Sequence, residues 1–323
     1  MSTTIPARTT AARRPWLDWR STLTTALPGI ALVAMYAWIG IVQPNAVSYL
    51  GLELIFASAV PLIFATVGQM FIIMVGDIDL GMGYYVGFVN AAASIYLAGQ
   101  PWMAAALFAI GILGYMGMGA LVQVRHIPAI IVTLGASFIW LGIGLYIVPV
   151  PTGAAPPWLT AISTATPPLV PMPLIEAVVV AVLAYLITIL LPYGAVLRGA
   201  GSNAQAVERS GWSMTKIRMT AYACAGFFGL LAGLAVTSVT STGDATASAD
   251  YTLLGVAGVI LGGGQFAGGV AVPFGAVIGA MAISLVGSLL TLLHVPSDFQ
   301  TGVQGLILVL VLAGRAITRR SSS

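Results

Sequence analysis

The chain of 323 residues is 59% hydrophobic and 7% charged, with a mean hydropathy of +1.01, whereas a soluble globular chain carries about 25% charged residues. A soluble protein is excluded, and because the apolar runs are continuous and helix-length, so is an outer-membrane barrel with its alternating segments of about ten residues. The formal net charge of +3 rests on twelve basic residues, which in so apolar a chain serve to fix topology and do not point to a nucleic-acid partner.

Residues 1–22 are polar and basic, and no small-residue cleavage site follows a short apolar core, so they read as a cytoplasmic tail before an uncleaved first span. The Lys and Arg residues fall in four places: Arg8 to Arg20, Arg125, Arg198 to Arg218, and Arg315 to Arg320. Positive charge marks the cytoplasmic side. Between the first two places, four crossings fit: Leu23–Val42, Glu53–Val75, Tyr84–Ala98 and Trp102–Val122. Ile127–Val148 then leads out to a proline-rich loop, and Leu174–Leu191 returns to a basic cytoplasmic loop at 193–218. Met219–Thr240 leads out to Asp244 and Asp250. Leu253–Leu261, Val270–Leu293 and Thr301–Leu312 then bring the chain to a basic tail at 315–323, the first and last of them short for a core of about 30 Å. The expectation is an all-α polytopic membrane protein with a transmembrane domain over 23–314. It has about ten helices, or eight if the short pieces re-enter, and both termini are cytoplasmic.

Two stretches interrupt the helical pattern with glycine, "GDIDLGMG" at Gly76–Gly83 and "LGGGQFAGG" at Leu261–Gly269, each in the middle of a three-crossing group. Such breaks are expected of an internal repeat whose discontinuous helices meet near the membrane midplane. Asp77 and Asp79 would point to nearly opposite sides of a helix but to one side of an extended strand, which with Gly76, Gly81 and Gly83 argues that the helix stops there. Each aspartate costs about 2.5–3.5 kcal/mol at the bilayer centre unless donors satisfy it. Asp79 is placed to cap a helix restarting near Gly81, a scaffold role that stands beside a direct part in solute passage or gating. Asn90 and Ser94 share one helical face and either line a polar path or bond a neighbouring helix. Gly262, Gly263, Gly264 and Gln265 form the second break. Glu53 and Glu176 flank external loops and read as solvated charges.

Enzymatic chemistry finds no footing. Lys216 is the only lysine and no phosphate-binding G-x-x-x-x-G-K-[ST] occurs, so ATP hydrolysis would fall to a partner chain. No G-x-S-x-G or H-E-x-x-H is present. His126 and His294 stand at turns, Cys224 is solitary, and neither a metal site nor a cofactor is expected. Composition and spacing lead to a transporter subunit.

The segment Arg198 to Ala235, "RGAGSNAQAVERSGWSMTKIRMTAYACAGFFGLLAGLA", resembles the cytoplasmic coupling segment of the sugar-type ABC-importer permeases, the ribose, xylose and galactose group related to the branched-chain amino-acid permeases. Gly201, Asn203, Ala206, Ser210, Gly211, Lys216 and Ile217 stand at the matching places. "GDIDLGMG" resembles the group's G-G-I-D-L-S-V-G, with Asp79 on the motif aspartate and Asp77 where glycine is usual. The stretches from Arg125 and from Leu261 resemble two further motifs, although Gln265 and Ala267 replace small polar residues.

The resemblance implies a second permease chain, identical or not, and an ABC ATPase subunit whose cleft receives a short helix around Ala204–Ser210. It also implies a periplasmic binding protein that delivers a monosaccharide or related polyol, in the inner (plasma) membrane of a bacterium. Glu208, Arg209, Lys216 and Arg218 would give a polar, docking-competent face, with Trp212 and Met214 as anchors. The competing reading is a cation-coupled secondary transporter with Asp77 and Asp79 as its ion site.

Overall fold

The computed structural model describes residues 19–296, 299–300, 302–303 and 305–306. Residues 1–18 of the expected tail 1–22, the expected tail 315–323 and most of the expected span Thr301–Leu312 lie outside the described residues. Every regular element described is helical. Helix α1 (Trp19–Val42) starts four residues before the expected boundary at Leu23 and leads through a 3-10 turn, Pro44–Val47, to α2 (Tyr49–Ala57) and α3 (Ala59–Met74). The expected single span Glu53–Val75 is thus a bent pair, with a bend of 45°. After the first break come α4 (Met82–Tyr96), α5 (Pro101–Arg125) and α6 (Ala129–Ile147). The proline-rich loop contains a short α7 (Pro157–Ser163), and α8 (Met172–Tyr185) continues as a π-helical turn, Leu186–Leu190.

The basic loop is largely helical. It comprises α9 (Pro192–Ser202), α10 (Ala204–Arg209) and the start of α11 (Met214–Thr240), which begins five residues before the expected Met219. Then come α12 (Tyr251–Leu261) and α13 (Pro273–Leu292). Five of these helical stretches are long and apolar enough to cross a membrane alone, and the bent α2–α3 pair makes a sixth.

Helix α3 is at the centre, with every residue but Phe64 buried, because it packs on α11, α12, α13 and α8 together. Helix α11 divides the molecule. One of its faces joins α3, α8 and α13 in a core that includes Phe71, Phe228 and Leu285; the other joins α4, α5 and α6 around Tyr85, Tyr115 and Trp140. Close approach depends on small residues: a Cβ on Gly229 would lie 2.8 Å from the Tyr85 ring, and one on Gly226 would lie 3.0 Å from Cβ of Tyr115.

Arg125, Arg198, Arg209, Lys216 and Arg218 gather at one end of the bundle, the basic end. At the opposite end the loops interlock: Thr152 and Gly243 exchange backbone hydrogen bonds, and the Ala154 N–H donates to the Ser94 carbonyl at 3.1 Å. The shortness of α12 has a structural reason. The non-helical stretch 241–250 runs back along α4, where Ala245 seats against Gly87 and Gly144, and a Cβ on Gly83 would meet the carbonyls of Ser248 and Ala249 at 2.5 Å. The chain thus travels part of the bundle's length before α12 begins.

Candidate functional site at the first break

Helix α3 ends in a Schellman closure. Gly76 takes φ +85°, its N–H donates to the Ile73 carbonyl at 2.9 Å, and the Asp77 N–H donates to Ile72 at 3.1 Å. Helix α12 ends the same way: Gly263 at φ +113° donates to Ile260 at 3.1 Å, and Gly264 donates to Val259 at 2.8 Å. The two breaks therefore share a local geometry, and they touch. The Gly269 N–H donates to the Met74 carbonyl at 2.8 Å, and a Cβ on Gly268 would stand 2.9 Å from the Gly76 nitrogen and 3.2 Å from Cα of Gly201. Gly201 belongs to α9, so this glycine junction lies at the basic end.

From there the chain climbs into the bundle. The two aspartates turn to different partners. Asp77 pairs with Arg218, Nε to Oδ2 at 2.9 Å and Nη2 to Oδ1 at 3.2 Å, while the Tyr222 hydroxyl donates to Oδ2 at 3.2 Å. Gln123 Oε1 accepts the remaining Nη1 of Arg218 at 2.7 Å. Asp79, with no solvent exposure, accepts the Gly81 N–H on Oδ1 at 2.6 Å and the Tyr115 hydroxyl on Oδ2 at 2.8 Å. Tyr115 lies ten residues before the end of α5 and Gln123 two, so Asp79 is held deeper in the bundle than the Asp77–Arg218 pair.

Side chains complete the backbone bonding of the break. Gln69 Nε2 donates to the Asp79 carbonyl (2.9 Å), Thr133 Oγ1 accepts the Leu80 N–H (3.0 Å), and Thr252 Oγ1 accepts the Gly83 N–H (2.9 Å). The expected cap at Asp79 is present in a modified form. Its carboxylate holds the N–H of Gly81, the residue that precedes α4, and the first turn itself is capped from another helix, by Thr252 on the Gly83 N–H. Asp77 is neutralised by Arg218, and both oxygens of Asp79 are engaged by donors.

Asn90 is not part of this assembly. On α4, towards the opposite end, its amide donates to Thr237 Oγ1 and the Thr242 carbonyl, each at 3.0 Å, and accepts the Asp244 N–H at 2.6 Å. It ties the end of α11 to α4. Ser94 bonds its own helix at the Ala91 carbonyl. Gln265 is half-buried in the second break, where its carbonyl accepts the Gly268 N–H at 3.1 Å. Glu53 and Glu176, expected as solvated charges, are half-buried, and Oε2 of Glu53 has no hydrogen-bond partner.

Helix α10 stands away from the bundle. Asn203 caps it by accepting the Ala206 N–H at 3.0 Å, Ser210 closes it by donating to the Ala206 carbonyl at 2.8 Å, and every residue from Ala204 to Arg209 is exposed except half-buried Val207. Gly211 takes φ +86° and turns the chain into α11, where Ser213 accepts the Lys216 N–H at 3.4 Å. Trp212 is 45% exposed, edge-on to Tyr193 with ring centroids 5.7 Å apart.

Sequence reasoning missed Arg218, Gln123, Tyr222, Tyr115 and Thr133 as partners of the break. Arg218, expected on the docking face, turns into the bundle instead, because Asp77 and Gln123 offer its guanidinium acceptors there. The others carried no signal, since Tyr, Gln and Thr in a span are ordinary packing residues.

A bundle of apolar helices with two broken segments and an exposed basic-end helix defines a multi-pass membrane permease. Residues 51–312 match the family described as branched-chain amino acid transport system / permease component. The ribose import permease protein of Haemophilus influenzae is 31% identical over 294 residues, covering 88% of this chain and 91% of its own. Autoinducer 2 import system permease proteins of Yersinia pseudotuberculosis and Yersinia pestis are 28% and 27% identical over 299 residues, covering 88% of this chain and 83% of theirs. No solved structure matches the chain. The chain belongs to the ABC-importer permease family, in its sugar-import group, and is a multi-pass protein of the bacterial inner membrane.

Proposed function

We propose that this chain, with a second permease chain, forms the translocation pathway for a monosaccharide or related polyol. A periplasmic binding protein delivers the solute at the end opposite the basic one, and an ABC ATPase docks on α10. In this reading the chain crosses the membrane ten times with both termini cytoplasmic, and the two breaks with Gly76, Asp77, Asp79, Gly81, Gly83 and Gly262 to Gln265 are the moving part of the pathway. The observation that carries it is α10: a capped, exposed helix of six residues beside a half-exposed Trp212 on the basic face, the chemistry of a docking element with an aromatic anchor. The similarity to a ribose permease supports the solute class.

Isolation of the chain from its native membrane in mild detergent, followed by mass spectrometry, tests this reading. An ABC ATPase subunit is expected in the complex; a solitary chain in repeated gentle preparations would refute the proposal.

A further inference from the structure

We propose that the ion pair between Asp77 and Arg218 is the connection through which movement of the α10 segment reaches the first break. The inference rests on the docking role just given to α10 and identifies its point of action inside the bundle. The carboxylate of Asp77 is not needed to end α3, because the Schellman closure uses only its backbone N–H, at 3.1 Å from the Ile72 carbonyl. Its side chain instead reaches another helix. Arg218 stands in the first turns of α11, which follows α10 after a short turn at Gly211, and its guanidinium makes two contacts with Asp77 at 2.9 and 3.2 Å. Gln123 at 2.7 Å and Tyr222 at 3.2 Å fix both partners, so the pair behaves as a joint of defined geometry rather than a loose attraction.

The other flank of α10 grips the same place. Gly201 and Ser202, immediately before the Asn203 cap, lie against Gly268 and Gly269, and Gly268 lies in turn against Gly76. Both flanks of α10 therefore converge on Gly76 and Asp77. Two residues further on, the break is held by Tyr115 of α5, Thr133 of α6 and Gln69 of α3, none of which adjoins α10 in the chain. Gly76 and Asp77 are thus held by segments that adjoin α10, and Ile78 to Leu80 by helices that do not, with α5 reaching both through Gln123 and Tyr115. In this proposal a displacement of α10 is passed to the break between Asp77 and Asp79.

The test uses the full chain, isolated with its ATPase, carrying Cys224→Ser and a reporter Leu80→Cys. The rate of maleimide labelling is compared with and without ATP plus vanadate. The parent complex is expected to show an ATP-dependent change in rate. Asp77→Asn and Arg218→Gln are expected to abolish the change while leaving the ATPase bound, and the exchange Asp77→Arg with Arg218→Asp is expected to restore it. Persistence of the change in both single variants would overturn the ion pair's role. If the single variants do not accumulate, the exchange decides: restored yield without a restored ATP response assigns the pair to folding alone and overturns the proposal. Absence of any ATPase from the parent preparation would refute the functional reading, and this inference with it.

Discussion

Asp77 and Asp79 lie one residue apart, yet they answer two different physical demands. Asp77 neutralises an arginine in the first turns of α11, whereas Asp79 meets only neutral donors, the Gly81 N–H and the Tyr115 hydroxyl. For Asp79 the acceptor geometry matters more than the charge. Asp79→Asn keeps an oxygen for Gly81 and presents an amide to the Tyr115 oxygen, so the midpoint of thermal unfolding in detergent is expected to stay close to the parent's. Asp79→Ala orphans both donors in a buried setting, at about 1–3 kcal/mol each, and is expected to lower that midpoint and the folded yield. A fall for Asn equal to that for Ala would show that the charge is what counts. The asymmetry between the two acids was invisible in "GDID", because it is made by residues 36 to 145 positions away.

At the scale of elements, α10 shows how local chemistry matters where packing is slight, since only Val207 of this helix reaches the core. Six residues are too few to hold an isolated helix in water, so its caps decide. Asn203→Ala removes the acceptor for the Ala206 N–H and is expected to cost about 1 kcal/mol of local stability, or roughly fivefold faster amide exchange over residues 204–210. Unchanged exchange would show that the helix is held by Val207 and its neighbours instead. The resemblance implied a short helix around Ala204–Ser210, and the structure has one at Ala204–Arg209; its Asn203 cap was not read from the sequence. Helices α2 and α3 were not separable by eye, since "LIFASAVPL" carries a proline that suits a first turn as well as a bend. Nor could α12 be recognised as the continuation of a non-helical segment, because stretch 241–250 is polar and small and reads as an external loop; its burial depends on the glycines of α4 opposite.

For the molecule as a whole, the topology drawn from charge is a prediction about which end of the bundle faces the cytoplasm. In a chain with Cys224→Ser, a cysteine at Ser210 is expected to react with a membrane-impermeant maleimide only after the cell is opened. One at Leu169, which is 90% exposed in the proline-rich loop, is expected to react in intact spheroplasts. The opposite pattern would invert the topology and move α10 away from any cytoplasmic ATPase. The two breaks meet at their glycine junction beside α9, and Asp79 lies deeper in the bundle, bonded to Tyr115.

The sequence by itself determined the class of this protein. Continuous apolar runs, confined basic residues and glycine-interrupted segments are local or compositional properties that need no partner to be read. The tertiary structure alone decided which side chains satisfy the breaks, that the two breaks touch each other and α9, and that Asp77 is joined to Arg218. Those features arise from contacts between residues far apart in the chain, made where buried polar groups must find partners because no water reaches them. Partner choice of that kind depends on how the helices pack, which no single stretch of the sequence records.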